Sequence, residues 1–336
     1  MNKQSLPMVT VVIPMYNVEH HIQQCIKSVL AQTFQNFEVI CVNDGSTDGT
    51  VDKLKEFSDP RIKLIQQANR GLSGARNSGI LVARGLYVAL LDADDYWANE
   101  KLAYHVNHLN SRPTVGVSYC PSLFVNEQGK LMGIGQFPKL KNITSKDIFC
   151  RNPVGNGSAP VIRHRLLREM TFECPKTRHK CVFDEELRQS EDIGLWLRIA
   201  LLKKWKFEGI DVPLTYYRVN DSGLSANVKN QYDNWCLAVK KNIVGNEEFF
   251  KRYSTLAKAY QFRYLARRAI RSGNSWSAIK LIHQALITHP GIIAEEPLRT
   301  LSTFGCALIS ILPRSIYGVL EHIAMSYVKH RRHSLR

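Results

Sequence analysis

Three carboxylates, Asp92, Asp94 and Asp95, close the run Leu90-Leu91-Asp92-Ala93-Asp94-Asp95. Like charges this close repel one another unless a cation or hydrogen-bond donors compensate them. Hard oxygen ligands at this spacing suit Mg²⁺ or Mn²⁺ shared with substrate phosphates. A solvated turn, with an Asp capping a helix from near Ala98, is the alternative. Asp44 directly follows a β-rich run, where a carboxylate can accept the imide N–H of a uracil or thymine; an Asx turn is the other reading. Tyr16 and Asn17 follow an earlier such run, and the ring could stack on a base or simply start the next helix. The stretch Gly71-Leu72-Ser73-Gly74-Ala75-Arg76-Asn77-Ser78-Gly79 precedes the acidic run. Its Arg76 and Asn77 can reach a nucleotide, while its glycines serve close packing. No Gly-x-Gly-x-x-Gly follows the first strand, which argues against a dinucleotide enzyme.

These residues need a scaffold, and the apolar pattern describes one. Val9 to Ile13, closed by Pro14, reads as a strand buried on both faces. Ile22, Cys25, Ile26, Val29 and Leu30 form one apolar helical stripe. Phe37 to Val42, Ile62 to Ile65 and Leu86 to Leu91 read as strands. Helices fall between them, one from about Asp48 to Phe57 capped by Ser46 or Thr47 and one from Leu72 to Ala83. The alternation predicts βαβ units and a mostly parallel α/β sheet, with ligands beyond the carboxyl ends of its strands. Asn17, Asp44 and Asp92 all stand at such ends. From Val115 to Tyr217 short strands (Val115 to Cys120, Ser158 to Ile162, Leu214 to Arg218) alternate with helices near Ser145 to Cys150 and Ser190 to Lys203. That stretch reads as the acceptor side of the same domain.

In order, VVIPMYN, VNDGSTDGT, NRGLSGARNSG, ARGLYVALLDADD and SEDIGLWLR resemble the motifs of glycosyltransferase family 2, over roughly Val9 to Ser225. The resemblance implies a GT-A Rossmann-like fold and transfer of a sugar from a nucleotide sugar, a UDP-sugar, with inversion. It places Pro14, Tyr16, Asn17, Asp44, Arg76, Asn77, Asp92 and Asp95 at the nucleotide sugar, with Asp44 on the base. The divalent cation, Mg²⁺ or Mn²⁺, falls to Asp94 as direct ligand, with Asp92 and Asp95. Single-displacement inversion needs a base opposite the leaving diphosphate. The family pattern assigns Asp192 as base and Glu191 as its orienter or as the second candidate. Both open a helix, whose positive end stabilises the anion and lowers a carboxylate pKa; out of family context a capping box is the plainer reading. Relatives carry a histidine after the Tyr-Arg of the last strand. Here Tyr217-Arg218-Val219 leads to Asn220, which cannot carry charge, and Arg218 is the neighbouring cation.

The 336 residues carry 44% hydrophobic and 22% charged residues, enough for a packed core and not the profile of a disordered chain. The formal charge is +16, and residues 240–336 hold sixteen Lys and Arg against five Asp and Glu. This concentration points to an anionic surface, with no nucleic acid partner expected. The domains expected are a GT-A domain over 1–227 and a basic helical region over 228–336. In the latter, Ala259, Phe262, Ala266, Ala269 and Ile270 form one stripe and Ile279, Ile282, Ala285 and Leu286 a second. The pair is tetratricopeptide-like without making a solenoid. Phe304 to Pro313 and Tyr317 to Val328 lead into Lys329-His330-Arg331-Arg332-His333, which suits a helix on an anionic inner leaflet or one docked on a partner.

No signal peptide or span of about 18 apolar residues is evident. The eight scattered cysteines then read as free thiols in a cytoplasmic protein, peripheral at the inner membrane face. The sequons at Asn142, Asn156 and Asn220 carry no weight there. Cys174-Pro175-Lys176-Thr177-Arg178-His179-Lys180-Cys181 matches no common zinc spacing. It reads as a loop near the acceptor entrance, its basic residues suggesting an anionic acceptor, or as a solvated loop. The acceptor expected is a glycan or a lipid-linked sugar, for surface polysaccharide or lipid-linked glycan synthesis. The competing functions are a metal-dependent nucleotidyltransferase and a non-catalytic scaffold held by its tail.

Overall fold

The computed structural model describes residues 6–219 and 228–312. The first part of the chain alternates strand and helix: β1 (Val9–Met15), α1 (Ile22–Leu30), β2 (Phe37–Asn43), α2 (Thr50–Lys55), β3 (Ile62–Gln66), α3 (Gly71–Leu81) and β4 (Tyr87–Leu90). Next come β5 (Tyr96–Trp97), α4 (Lys101–Ser111), β6 (Val115–Tyr119), β7 (Ser122–Val125), β8 (Leu131–Gln136), α5 (Ser145–Arg151) and β9 (Val161–Arg163). α6 (His164–Glu169), β10 (Phe172–Glu173), β11 (Lys180–Cys181), α7 (Glu191–Leu201), β12 (Lys206–Gly209) and β13 (Thr215–Arg218) complete this part. The remainder is helical: α8 (Val228–Lys241), α9 (Glu247–Arg271), α10 (Ser275–Thr288), α11 (Ile292–Glu295) and α12 (Pro297–Ile309).

A seven-stranded sheet runs β12-β6-β9-β4-β1-β2-β3. β1 is parallel to both β2 and β4, β2 to β3 and β6 to β12, whereas β9 is antiparallel to β4 and β6. Alternate residues serve opposite faces, as the pleat requires. Val39 and Cys41 join Val11, Ile13 and the α1 stripe Ile22, Cys25, Ile26 and Val29 in the larger core. Ile40 and Val42 meet Ala75 of α3 on the other face. Gly79 of α3 lies so close to β1 that a Cβ there would sit 2.4 Å from Val12 Cγ1, so this glycine serves close packing.

Pro14 does not end β1, which runs on to Met15 with Pro14 opposite Val42. Pairing with β4 stops at Val12↔Leu90, and Met15 O faces β2, where it accepts the Asp44 amide. The missing Pro14 N–H therefore falls on the β4 side, past the last ladder bond, where its loss costs nothing. β4 leaves β1 at this point and opens the crevice at the strand ends. The turn Asp92–Asp95 then bridges to β5, which belongs to a second sheet ordered β5-β13-β7-β8.

Two helix starts differ from expectation. α2 begins at Thr50 rather than Asp48, with Gly49 as N-cap. Ser46 and Thr47 instead bond Asn17, tying the loop after β2 to the loop after β1. α4 begins at Lys101, because Tyr96 and Trp97 extend into β5.

The chain divides into two compact units, Met1–Asn220 with Asn234–Asn242, and Asp221–Asp233 with Ile243–Arg336. In the second, Ala259, Phe262, Ala266 and Ala269 of α9 are buried, as are Ala278, Ile282 and Ala285 of α10. α12 packs on both helices. Among the described residues no helix is long and apolar enough to cross a membrane. Asn220 and the Lys329–His333 cluster lie outside the described residues.

Candidate active site

The acidic turn is held from beneath by groups far away in sequence. The Asp92 amide donates to Ser158 Oγ (3.0 Å), and that hydroxyl donates to Asp95 Oδ2 (2.5 Å). Asp95 Oδ1 accepts the Arg218 amide at 2.8 Å. Asp95 is therefore buried, with both carboxylate oxygens accepting protein donors. Burial, with Asp94 and Asp92 nearby, also pushes its carboxyl well above the usual range. Arg218 is equally committed. Its guanidinium donates to the carbonyls of Asp94 and Asn126 (both 2.8 Å) and to Gln24 Oε1 (2.7 Å), so it braces the turn instead of replacing a diphosphate-binding histidine. Lys101, fully buried, donates to Ala159 O (2.9 Å) and Thr215 Oγ1 (3.0 Å), joining the Ser158 loop to β13.

Asp94 differs from both neighbours. It is partly exposed, and no side-chain donor meets its carboxylate among the described residues. Burial first, then the charge of Asp92, raises it from 3.8 to about 6. A carboxylate raised by uncompensated negative charge fits a cation. Asp92 offers a second oxygen, because Arg76 takes only Oδ1.

Arg76, 2% exposed, projects from α3 into the middle of the site. Its Nη2 donates to Asp92 Oδ1 and its Nη1 to Glu191 Oε1, both at 2.7 Å, and its guanidinium lies 5.4 Å from the Phe183 ring centre. One guanidinium thus joins the acidic turn to the acidic helix start, an arrangement suited to arginine's planar fork. The loop carrying Gly157 passes directly over it: a Cβ there would lie 2.2 Å from Arg76 Nη2 and 2.6 Å from Asp92 Oδ2.

Glu191 is buried against Arg76, whereas Asp192 is only partly buried. No capping box forms at this helix start; Ser190 is the N-cap, at φ 59° and without a side-chain bond. Asp192 Oδ1 accepts the Ile193 amide (2.7 Å) and Oδ2 accepts Asn152 Nδ2 (3.1 Å). Asn152, left-handed at φ 41° after α5, also donates Nδ2 to Gly155 O (3.2 Å). Two acceptors fix its amide, and Oδ1 is left buried without a partner. The expected lowering of both acids by the helix end is overturned. Burial takes Glu191 to about 7 despite Arg76 and raises Asp192 as well.

Three further residues expected at the nucleotide sugar are buried among protein partners. Asn77 is fully buried and clamps the 182–183 backbone. It donates to Phe183 O (2.8 Å) and accepts the amides of Val182 (2.9 Å) and Phe183 (2.8 Å). Asp44 is buried; its oxygens accept Gln67 Nε2 (2.6 Å) and the amides of Arg70 and Gly71 (both 2.8 Å). It fastens the loop before α3 from a distant segment and forms no Asx turn with these groups. Pro14 is buried within β1. Tyr16, by contrast, is 52% exposed with its ring free to stack. Asn17, at φ 51°, accepts the Thr47 amide (2.9 Å).

The 174–181 stretch is the β10–β11 hairpin with both cysteines buried. Arg178 pairs with Glu173 (3.0 Å), and His179 Nδ1 lies 3.1 Å from Glu185 Oε2. Cys174, Asp184 and Glu186 bring ligand atoms within 4.8 Å of one another, but Lys241 Nζ already sits 2.7 Å from Asp184 and 3.3 Å from Glu186. The ammonium takes a cation's place there.

Residues 10–170 match the family model described as Glycosyl transferase family 2. The chain is 32% identical over 233 residues to UDP-Glc:alpha-D-GlcNAc-diphosphoundecaprenol beta-1,3-glucosyltransferase WfgD of Escherichia coli, covering 67% of this chain and 84% of that protein. The chain belongs to glycosyltransferase family 2. Its likeness to uncharacterized glycosyltransferase EpsJ of Bacillus subtilis (strain 168) is 48% over 93 residues, and spans only 27% of either chain. Among solved structures, mannosyltransferase PcManGT from Pyrobaculum calidifontis, in complex with GDP-Man and Mn²⁺, superposes with a TM-score of 0.56 at 21% identity. That match covers 91% of this chain and 86% of the other, and shares the GT-A fold. The expected mixed α/β architecture of this glycosyltransferase, a mostly parallel sheet followed by a helical region, is thus borne out.

Ser158, Lys101, Asn152 and the bracing role of Arg218 were absent from the sequence reading. Each acts through a partner 40 or more residues away, and no local spacing announces such a contact.

Proposed function

We propose that this glycosyltransferase moves a sugar from a UDP-sugar to an acceptor hydroxyl with inversion, in surface polysaccharide or lipid-linked glycan synthesis. One observation supports the reading above the rest. Arg76 bonds Asp92 and Glu191 at once, so the donor-side turn and the candidate base stand around one guanidinium. In this reading Asp192 is the base: it is the more exposed acid of its pair, and Asn152 with the Ile193 amide aims its carboxylate. Asp192 takes the proton as the acceptor oxygen attacks the anomeric carbon and the bond to the nucleoside diphosphate breaks. Glu191 is a positioning residue that holds Arg76 against Asp92. Tyr16 stacks on the base, while Asp44 keeps the adjoining loop in place. Asp94 and Asp92 would hold Mg²⁺ or Mn²⁺, which would neutralise charge on the diphosphate. The metal and donor class draw support from the relatives, one named as a UDP-Glc transferase acting on a diphosphoundecaprenol-linked sugar and one bound to Mn²⁺. The same reading puts the enzyme at an anionic membrane face through its basic C-terminal region.

The test is nucleoside diphosphate release from a panel of UDP-sugars with Mn²⁺, with and without lipid-linked sugar acceptors. Turnover that falls with Asp94→Ala and Asp192→Asn supports the reading. Pyrophosphate release from a sugar 1-phosphate and a nucleoside triphosphate would replace it with nucleotidyl transfer, and full activity in both variants would remove the site assignment.

A further inference from the structure

α12 leaves several of its leucines outward. Its buried residues are Thr300, Thr303 and Ala307, and Phe304 packs edge-on against His283 of α10. Leu298 and Leu301 face outward at 84% and 58% exposure, and Leu308 continues the same side. Those three recur at i, i+3 and i+10, one narrow stripe opposite the buried face. A second element adds to it. Ser275 Oγ donates to Ser310 O (2.5 Å), which seats the first turn of α10 beside the last turn of α12. The next residue on α10, Trp276, is 76% exposed. Three exposed leucines along one helix and an exposed tryptophan on the helix seated beside its end exceed the scattered apolar residues normal on a surface.

The chain that continues from this patch indicates its occupant. Residues 313–336 carry five Lys and Arg against one Glu, within a C-terminal region already rich in positive charge. A second copy covering the leucines would bring two such basic segments together, which charge opposes. An anionic bilayer answers both features at once: acyl chains take the leucines, the headgroup layer takes the tryptophan, and the basic segment meets anionic headgroups.

We propose that the Leu298–Leu301–Leu308 stripe of α12, with Trp276, is a docking face for an anionic phospholipid bilayer. The inference gives residues to the membrane-face part of the reading above and rests on that part alone. The full chain should co-sediment with vesicles of phosphatidylcholine containing phosphatidylglycerol, and far less with phosphatidylcholine alone. Leu298→Ser with Leu301→Ser should weaken partitioning at least tenfold, and Trp276→Ser, on the other helix, should do so separately. Because these side chains are exposed, circular dichroism should be unchanged. Absence of binding by the unaltered chain would overturn the proposal, as would full binding by both variants. So would a dimer in solution that the leucine changes dissociate, since a second copy would then own the face. UDP-glucose turnover measured on the same samples without vesicles reports on the catalytic reading independently.

Discussion

Two acidic stretches, Asp92–Asp95 after β4 and Glu191–Asp192 at the start of α7, share one guanidinium yet are surrounded differently. In each, one carboxylate is neutralised by Arg76 and another is left toward the cleft. Asp192 keeps two N–H donors, from Ile193 and Asn152, which favour its ionised form and aim its oxygens. Asp94 meets no side-chain donor and lies beside Asp92, so its charge is repelled where that of Asp192 is partly supported. Residue type therefore does not separate a candidate base from a candidate metal ligand; the donors around each one do. Arg76 makes the two regions one site, since moving it disturbs both.

The largest expected effect breaks the comparison at its ends. Asp192→Asn should lower turnover by about 10²–10⁴-fold with the fold intact, the range for losing a general base. Asp94→Ala should lose about 10²–10³-fold and, unlike Asp192→Asn, abolish activation by added Mn²⁺. Metal titrations of both variants distinguish the two roles, and equal metal responses would erase the contrast. Removing the shared cation comes next. Arg76→Met leaves Glu191 and Asp92 without their partner and should cost about 3–5 kcal/mol by urea denaturation, because uncompensated buried charge is expensive.

A smaller effect sharpens the contrast through pH. A carboxyl whose folded pKa is raised stabilises the fold while protonated. That contribution is present below about pH 4 and lost as pH rises through about 6, the value for Asp94. A cation on Asp94 restores it, so Mn²⁺ should raise the Tm by several degrees near about pH 7.5 and by little near about pH 5. An equal rise at both values would mean the ion binds elsewhere. The smallest effect concerns the donors of Asp192. Asn152→Gly keeps the left-handed backbone, which glycine adopts without strain, and removes only the amide. Turnover should fall roughly fivefold to tenfold, as for loss of one charge-assisted hydrogen bond. The acidic limb of the pH profile should move upward, because the ionised form has lost a donor. Arg76, Glu191 and Asp92 also act on Asp192 and remain in place in this variant.

The β-rich runs and helical stripes were legible because burial on both faces leaves continuous apolar strands, as in β1 and β2. The five ordered motifs carried the family because their residue types and order stand in the chain itself. The antiparallel β9 was not legible, since a three-residue strand records no direction. Polar residues beside a cleft look alike in sequence whether they face substrate or backbone. That Asn77 holds Phe183 and Asp44 the 67–71 loop is visible only in the fold.

What the sequence determined alone was local: which segments become strands and helices, and which turns carry acid. Periodicity and residue type act over a few positions, and that information is complete in the chain. What tertiary structure decided was which of those acids is paired, braced or left open. Those outcomes depend on Arg76, Ser158, Arg218 and Asn152 arriving from distant segments. A carboxylate's ionisation and reach are set by the donors and charges within a few ångströms, and only folding brings them there.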